Sequence, residues 1–394
     1  MQSHCAVDVA RRMSAIVVAV FIALAGALAL NAAPAAAQAA KSPDQALHDA
    51  CAKDDPAVAI PACDKLIADG QLKGRDLAWV YNSRGVVYDL SGDKPRALVD
   101  YAKASEIDPG YVWPYNNRGA ALNDLKRYDE AIVELDKALK IEPQNGTVLD
   151  NLGVSYAGKR QYARAIEYLD KAVSLLPQDA AVLNHRGNVY LDTGDPRRAK
   201  ADFEAAIGRD PKNVDGYINR GVAYERLGDL DRAMADYDAA VRLDPKSALA
   251  HANRAAVFST RKQYERAVAA AERAVSLKPN GADGLNSLCW NRAILDRLEQ
   301  ALKDCDAALK ADPDYVEPWD SRGFVHLKLG NYAAAIADYT AALKLQPGKA
   351  SSLYGRAMAR MKSGDGQGGT ADLQAALKAD PAIARRFADW RYSL

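Results

Sequence analysis

Apolar residues recur along most of this chain at the three- and four-residue spacing of an amphipathic helix, and polar turns interrupt them at a constant interval. In the stretch "VWPYNNRGAALNDLKRY" (112–128) an apolar stripe runs down to a turn at Lys126-Arg127-Tyr128. "DEAIVELDKALKIEP" then repeats the stripe until Pro143. Proline lacks a backbone donor and pushes the preceding residue out of the α region, so the second helix must stop there. The same proline stands at 109, 143, 177, 211, 245, 279, 313, 347 and 381, every interval being 34 residues. The chain is therefore read as nine tandem units, 78–111, 112–145, 146–179, 180–213, 214–247, 248–281, 282–315, 316–349 and 350–383, each of two helices. No segment alternates with period two over the length of a strand, so the predicted fold class is all-α.

Small residues indicate how the two helices of a unit meet. The eighth position holds Gly85, Gly119, Gly153, Gly187, Gly221, Ala255, Cys289, Gly323 and Ala357. The twentieth is Ala from Ala97 to Ala335 and Gly369 in the last unit, and the twenty-seventh is Ala throughout, from Ala104 to Ala376. Glycine inside a helix costs about 1 kcal/mol against alanine, so its recurrence calls for close helix packing. The seventh position carries a row of arginines, Arg84, Arg118, Arg186, Arg220, Arg254, Arg322 and Arg356, with Leu152 and Leu288 in the other two units. The twenty-third, on the second helix, is acidic in six of those seven units: Asp100, Glu134, Asp202, Asp236, Asp338 and Asp372. Unit three pairs Leu152 with Tyr168, while Arg254 with Ala270 and Leu288 with Asp304 break the rule. The arginine row is thus expected to be scaffold, each pair contributing about 0.2–1 kcal/mol if exposed.

The unit [W/Y/L]-x2-[L/R]-G-x2-Y, followed by A-x3-[F/Y/L]-x2-A and then P at 34 residues, resembles the tetratricopeptide repeat over 78–383. Arginine departs from the leucine that the family most often has at the seventh position. The resemblance implies a right-handed superhelical solenoid of helix hairpins, with first helices lining a concave face and second helices a convex one. It also implies that the second, fifth, sixth, ninth and twelfth positions of each first helix point into the groove. The sixth holds Ser83, Asn117, Asn151, His185, Asn219, Asn253, Ser287 and Ser321, ending at Gly355. This is similar to the asparagine ladder of O-linked N-acetylglucosamine transferases, which holds an extended peptide by its backbone. An amide supplies both donor and acceptor and suits backbone pairing. Asn82, Asn116, Asn184 and Asn286 at the fifth position extend the ladder, and Trp79 and Trp113 at the second could add an aromatic contact. The alternatives are amides bonded within their own hairpins and tryptophans packed under an N-terminal cap. Repeats that clamp a chaperone's terminal carboxylate need cations that are missing here, although Asn188 and Asn219 match that clamp's two asparagines.

Both ends differ from the array. Arg11 and Arg12 precede "AIVVAVFIALAGALAL" and the small-residue stretch "NAAPAAAQAA", the pattern of a signal peptide over 1–39. Cleavage is expected after Ala37-Gln38-Ala39, with Ala35-Ala36-Ala37 as the competing site and an uncleaved anchor as the alternative. "ARRMSAI" lacks the apolar residue usual after a twin-arginine pair, which favours general secretion, and no cysteine follows the cleavage region to carry a lipid. An exported bacterial protein, periplasmic or secreted, is the reading. Residues 40–77 are read as an N-terminal capping hairpin and 384–394 as a C-terminal cap, because end units would otherwise expose apolar faces. In the repeat frame Cys289 and Cys305 take the eighth and twenty-fourth positions of unit seven. Cys51 and Cys63 fall on similar positions of the capping hairpin. Export would make Cys51–Cys63 and Cys289–Cys305 disulfides, the alternative being buried small apolar residues.

Charge and chemistry remove several functions. The formal charge of +1 includes Arg11, Arg12 and Asp8, so the mature chain balances 50 basic against 50 acidic residues. That balance makes no electrostatic case for nucleic acid or for an anionic membrane surface, and no membrane insertion is expected after cleavage. G-x-S-x-G, H-E-x-x-H and the phosphate loop G-x-x-x-x-G-K-[ST] are absent; "SGDGQGG" (363–369) follows a helix rather than a strand and reads as a surface turn. The sequon "NGT" at Asn145 lies at a unit junction and is discounted. His48, His185, His251 and His326 are spread over separate units, so no metal, cofactor or catalytic residue is expected. The expected role is a non-enzymatic scaffold of the cell envelope that binds an extended peptide segment of a protein partner in its groove. The alternative is a structural subunit of an envelope secretion or polysaccharide-handling assembly, docking through its convex face and caps.

Overall fold

A computed structural model describes residues 43–390 and Tyr392. Among them are twenty-one α-helices and no strand, so the chain is an all-α repeat solenoid. The signal-peptide segment 1–39 lies outside the described residues, as do Arg391, Ser393 and Leu394 of the C-terminal stretch. The N-terminal hairpin is α1 (Pro43–Cys51) and α2 (Pro56–Ala68). First helices are α3 (Gly74–Leu90), α5 (Val112–Asp124), α7 (Gly146–Gly158), α9 (Ala180–Asp192), α11 (Val214–Arg226), α13 (Ala248–Thr260), α15 (Ala282–Ile294), α17 (Val316–Lys328) and α19 (Ala350–Lys362). Second helices are α4 (Lys94–Ile107), α6 (Tyr128–Ile141), α8 (Tyr162–Leu175), α10 (Pro196–Arg209), α12 (Leu230–Leu243), α14 (Tyr264–Leu277), α16 (Leu298–Ala311), α18 (Tyr332–Leu345) and α20 (Gly366–Ala379). A short α21 (Ile383–Asp389) follows. The chain divides into two compact segments, one up to Pro211 and one from Lys212.

Local chemistry sets each boundary. Second helices end one residue before the pre-proline position, where Asp108 and its counterparts turn extended. The turn inside each unit needs a left-handed residue, at the fifteenth position. Glycine fills it at Gly92, Gly194, Gly228, Gly330 and Gly364, and Lys126, Arg160, Lys262 and Asp296 fill it at φ of 58–60°. The next amide then reaches back to close the helix, as Asp93 N donates to Tyr88 O at 2.8 Å. The turn expected at Lys126-Arg127-Tyr128 thus begins on its left-handed residue. Asp93, Asp195, Asp229 and Asp365 then cap the following helix with their side chains.

The hairpins close through size complementarity between the eighth and twenty-fourth positions. A Cβ added at Gly119 would lie 2.5 Å from Leu135, one at Gly187 2.6 Å from Phe203, and one at Gly221 2.5 Å from Tyr237. Where the second helix offers only Ala271, the first helix can carry Ala255. Cys289 faces Cys305 in the same way, with Cα atoms 5.2 Å apart, and Cys51 faces Cys63 at 4.9 Å. Both separations suit a disulfide.

The arginine row pairs as the sequence suggested, and more tightly. Arg186 Nε and Nη2 donate to Asp202 at 2.9 and 2.7 Å, Arg220 to Asp236 at 2.8 and 2.7 Å, and Arg322 to Asp338 at 2.8 and 2.7 Å. Arg84 and Arg356 make the same fork with Asp100 and Asp372, whereas Arg118 stands 3.6 Å from Glu134. Exposed pairs were one possibility; the carboxylates prove buried, with the Asp202 side chain 9% exposed against 20% for Arg186. In three of these units a third contact ties the arginine to the preceding hairpin. Arg186 Nη1 reaches Asp170, Arg322 Nη1 reaches Asp306 and Arg84 Nη1 reaches Asp64, at 2.8, 2.7 and 2.5 Å. The hydrogen bond to the paired aspartate holds the Arg84, Arg186 and Arg322 guanidiniums above their ordinary range, against the opposing effect of burial. The two exceptions resolve in kind. Arg254 turns to Asp238 of the preceding second helix at 2.9 Å, and Asp304 is paired by Arg292 at 2.6 Å.

Candidate partner-binding face

Within each segment, first helices pack on their own second helices and on the first helix of the next unit. The fifth and sixth positions therefore lie along a continuous first-helix layer. In the N-terminal segment the asparagines there bond to one another. Asn117 Nδ2 donates to Asn82 Oδ1 at 3.1 Å, Asn116 Nδ2 to Asn117 Oδ1 at 3.2 Å, and Asn151 Nδ2 to Asn116 Oδ1 at 2.9 Å. Asn123, at the twelfth position, donates to the Asn151 carbonyl at 3.0 Å and accepts from Ser155 at 2.7 Å. The relay crosses α3, α5 and α7, so these amides tie neighbouring first helices together.

Exposure then separates the candidates. Asn82, Asn116, Asn184, Asn219 and Asn253 are buried, while Asn117 and Asn151 are half-buried. Asn82 and Asn116, at the fifth position, each accept from the sixth-position amide of the next first helix, whereas Asn219 and Asn253 are buried at the sixth position itself, where the sequence expected groove-facing amides. Trp79 stacks on His48 of α1 with centroids 5.4 Å apart and packs with Leu47 and Ala50 in the N-terminal core cluster. Trp113 is 41% exposed. It precedes Asn117 by four residues, so the indole and the amide share one helix face. Among the sequence candidates, Trp113, Asn117 and Asn151 thus retain accessible surface, and the relay bonds orient the two amides.

At the sixth position of unit four the relay changes chemistry. His185 Nδ1 lies 2.8 and 2.9 Å from the Asp150 carboxylate oxygens across α9 and α7. Burial pushes the imidazole pKa down, but the charge and hydrogen bond of Asp150 together outweigh it, and the pKa stands above its ordinary value of 6.5. A raised folded-state value means the pair's contribution is complete below pH 6.5 and is lost as the pH rises through the folded value. The urea midpoint of the protein should therefore fall across that window, and His185→Asn should flatten this part of the slope. An unchanged slope in the variant would remove the pair from the account.

The C-terminal segment presents aromatic residues that the sequence pattern alone does not single out. Trp290 on α15 and Phe324 on α17 both occupy the ninth position, with ring centroids 5.3 Å apart. Residues of α21 and after it cover them: Trp390 stands edge-on to Trp290 at 4.8 Å, and Phe387 to Phe324 at 5.8 Å. The tail is thus more than a cap on the last hairpin.

Sequence models of the tetratricopeptide repeat match residues 112–145, 146–179, 185–248, 235–282 and 316–349. The chain belongs to the tetratricopeptide repeat family. No curated protein matches it significantly. Among solved structures, the tetratricopeptide array is similar to a chain of the APC/C hetero-tetramer Cut9-Hcn1, at 16% identity, with a TM-score of 0.58 over 85% of this chain and 82% of that one. It is also similar to a tetratricopeptide repeat protein of Parabacteroides merdae, at 18% identity and a TM-score of 0.52, over 63% of this chain and 98% of that one. At those identities the likeness speaks for the fold alone. Among the described residues no helix is long and apolar enough to cross a membrane.

Proposed function

We propose that this tetratricopeptide repeat protein is an exported, non-enzymatic scaffold of the cell envelope. Its N-terminal segment holds an extended segment of a protein partner against Trp113, Asn117 and Asn151. The observation that carries this reading is the exposed indole of Trp113 beside two half-exposed amides whose orientation is set by the buried Asn82 and Asn116. Each amide retains a donor and acceptor capacity beyond its relay bond, which suits a peptide backbone. A flat aromatic face adds contact area at small entropic cost. The signal-like N-terminus and two facing cysteine pairs support export to an oxidising compartment, where Cys51–Cys63 and Cys289–Cys305 would be bridged.

The test is affinity capture from native envelope extract, using the chain from Ala40 and a variant carrying Trp113→Ala, Asn117→Ala and Asn151→Ala. The variant should keep its helical circular dichroism and lose the partner. The intact mass of protein from fractionated cells should begin at Ala40 and fall short of the reduced mass by four hydrogens; an intact Met1 with free thiols would refute export. A second reading rests on Val99 of α4 and Val133 of α6, exposed by 67% and 54% at the same position of adjacent second helices. A partner kept by the triple variant but lost on Val99→Asp and Val133→Asp would assign docking to that face, as expected of a subunit in a larger envelope assembly.

A further inference from the structure

The ninth position of the first helices is small or medium in six units: Val86, Ala120, Val154, Asn188, Val222 and Ala256. In the last three it becomes Trp290, Phe324 and Met358. Those three side chains are buried, and the C-terminal stretch lies with them in one core cluster. Phe387 contacts Tyr354 at 4.7 Å and Phe324 at 5.8 Å. Trp390 meets Trp290 at 4.8 Å, and the Tyr392 hydroxyl donates to the Leu327 carbonyl at 3.4 Å. Asp389 pairs with Lys262 at 3.2 Å. A cap need cover only the apolar face of the last hairpin, α19 and α20. This tail instead runs back over α17 to α15 and touches the turn of unit six. It behaves geometrically as a ligand laid along the first-helix face.

We infer that residues 383–390 and Tyr392 are an internal occupant of an aromatic binding site on α15, α17 and α19, and that the same site takes a partner segment carrying two aromatic residues three positions apart at the end of a helix. Phe387 and Trp390 show that spacing, and each enters the row formed by Trp290, Phe324 and Tyr354. The acid next to Trp390 meets a lysine on the scaffold, so the partner segment should be acidic beside its second aromatic residue. The intramolecular tail competes at high effective concentration, so a free partner binds only when it outcompetes or displaces the tail. The site involves none of the residues proposed around Trp113, so the two readings stand or fall separately.

The experiment uses three proteins: the mature chain, a chain ending at Pro381, and a full-length variant carrying Phe387→Ala and Trp390→Ala. The probe is a fluorescein-labelled peptide of residues 380–394, with a second peptide in which only the two aromatic residues are alanine. Both altered proteins should bind the first peptide at least tenfold more tightly than the mature chain, and neither should bind the second. A further peptide retaining only the Phe-x-x-Trp spacing and its aspartate should also bind. Trp290→Ala in the full-length Phe387→Ala/Trp390→Ala background should abolish uptake while leaving helicity unchanged. Uptake equal to that of the mature chain, or none by either altered protein, would overturn the proposal. So would loss of helicity on truncation combined with no uptake by the full-length variant, which would define the tail as a structural cap. Concentration-dependent dimerisation of the mature chain through tail exchange would assign the site to a second copy and overturn the partner reading.

Discussion

Replacing Arg186 by Met is expected to lower the unfolding free energy by about 3–5 kcal/mol, far more than loss of a surface ion pair. The reason is the position of the partner. The Asp202 side chain is 9% exposed and receives two hydrogen bonds from the guanidinium, so its removal strands a desolvated carboxylate. The same substitution releases Asp170 of the preceding second helix, which loosens one inter-unit contact as well. Changing Arg186 to Met and Asp202 to Leu together should recover most of the loss, because a buried pair replaced by apolar groups is often neutral. Exchanging the two charged residues should recover only part, since an arginine placed at 202 would carry its larger head into the more buried site. Urea unfolding followed by circular dichroism reads all three. A loss below about 1 kcal/mol in the single variant would return the arginine row to the class of exposed pairs.

The second large effect comes from adding a single methyl group. Gly221→Ala would place its Cβ 2.5 Å from the Tyr237 ring, inside any real contact distance. The ring cannot swing away cheaply, because its hydroxyl donates to Glu225 at 2.6 Å and the residue is fully buried. Overpacking of this kind costs about 1–3 kcal/mol. Tyr237→Ala alone should cost about 3–5 kcal/mol through the cavity it leaves. The double variant recreates the Ala255 and Ala271 combination of unit six and should cost less than the sum. Additive losses in thermal melts would mean that these two positions do not pack against each other.

The fold was legible because the array writes one answer nine times. A strict proline interval, small residues at three positions and a co-varying arginine and acid all followed from local rules that need no tertiary information. The buried state of those carboxylates was not legible. Whether Asp202 faces solvent depends on how closely α10 packs on α9, and residue types alone do not set that distance. The third arginine contact escaped for a related reason: it joins a residue to the preceding unit, so a comparison made within units cannot reveal it. The left-handed turn was hidden because Lys126, Arg160, Lys262 and Asp296 stand where glycine marks it elsewhere.

The candidate face was only half legible. Asparagine at the fifth and sixth positions identified the first-helix layer, but the amides proved to bond to each other across helices as well. The repeat position alone does not decide which of them remains accessible: Asn117, Asn151, Asn219 and Asn253 share the sixth position, yet the first two keep partial exposure and the last two do not. Trp79 and Trp113 share one position in the repeat, yet α1 covers the first and leaves the second open. The aromatic row at Trp290 and Phe324 carried a signal in the size of the ninth position. That signal acquires meaning only when the tail is seen lying over it.

The most direct test of a binding role for the first-helix face is site-specific photocrosslinking. A benzophenone amino acid replaces Trp113 in one protein and Val133 of the second-helix face in another, and each is irradiated in native envelope extract. A discrete adduct is expected from position 113, absent when Asn117 and Asn151 are also alanine, and none from position 133. An adduct from position 133 alone, with position 113 silent, would contradict that binding role.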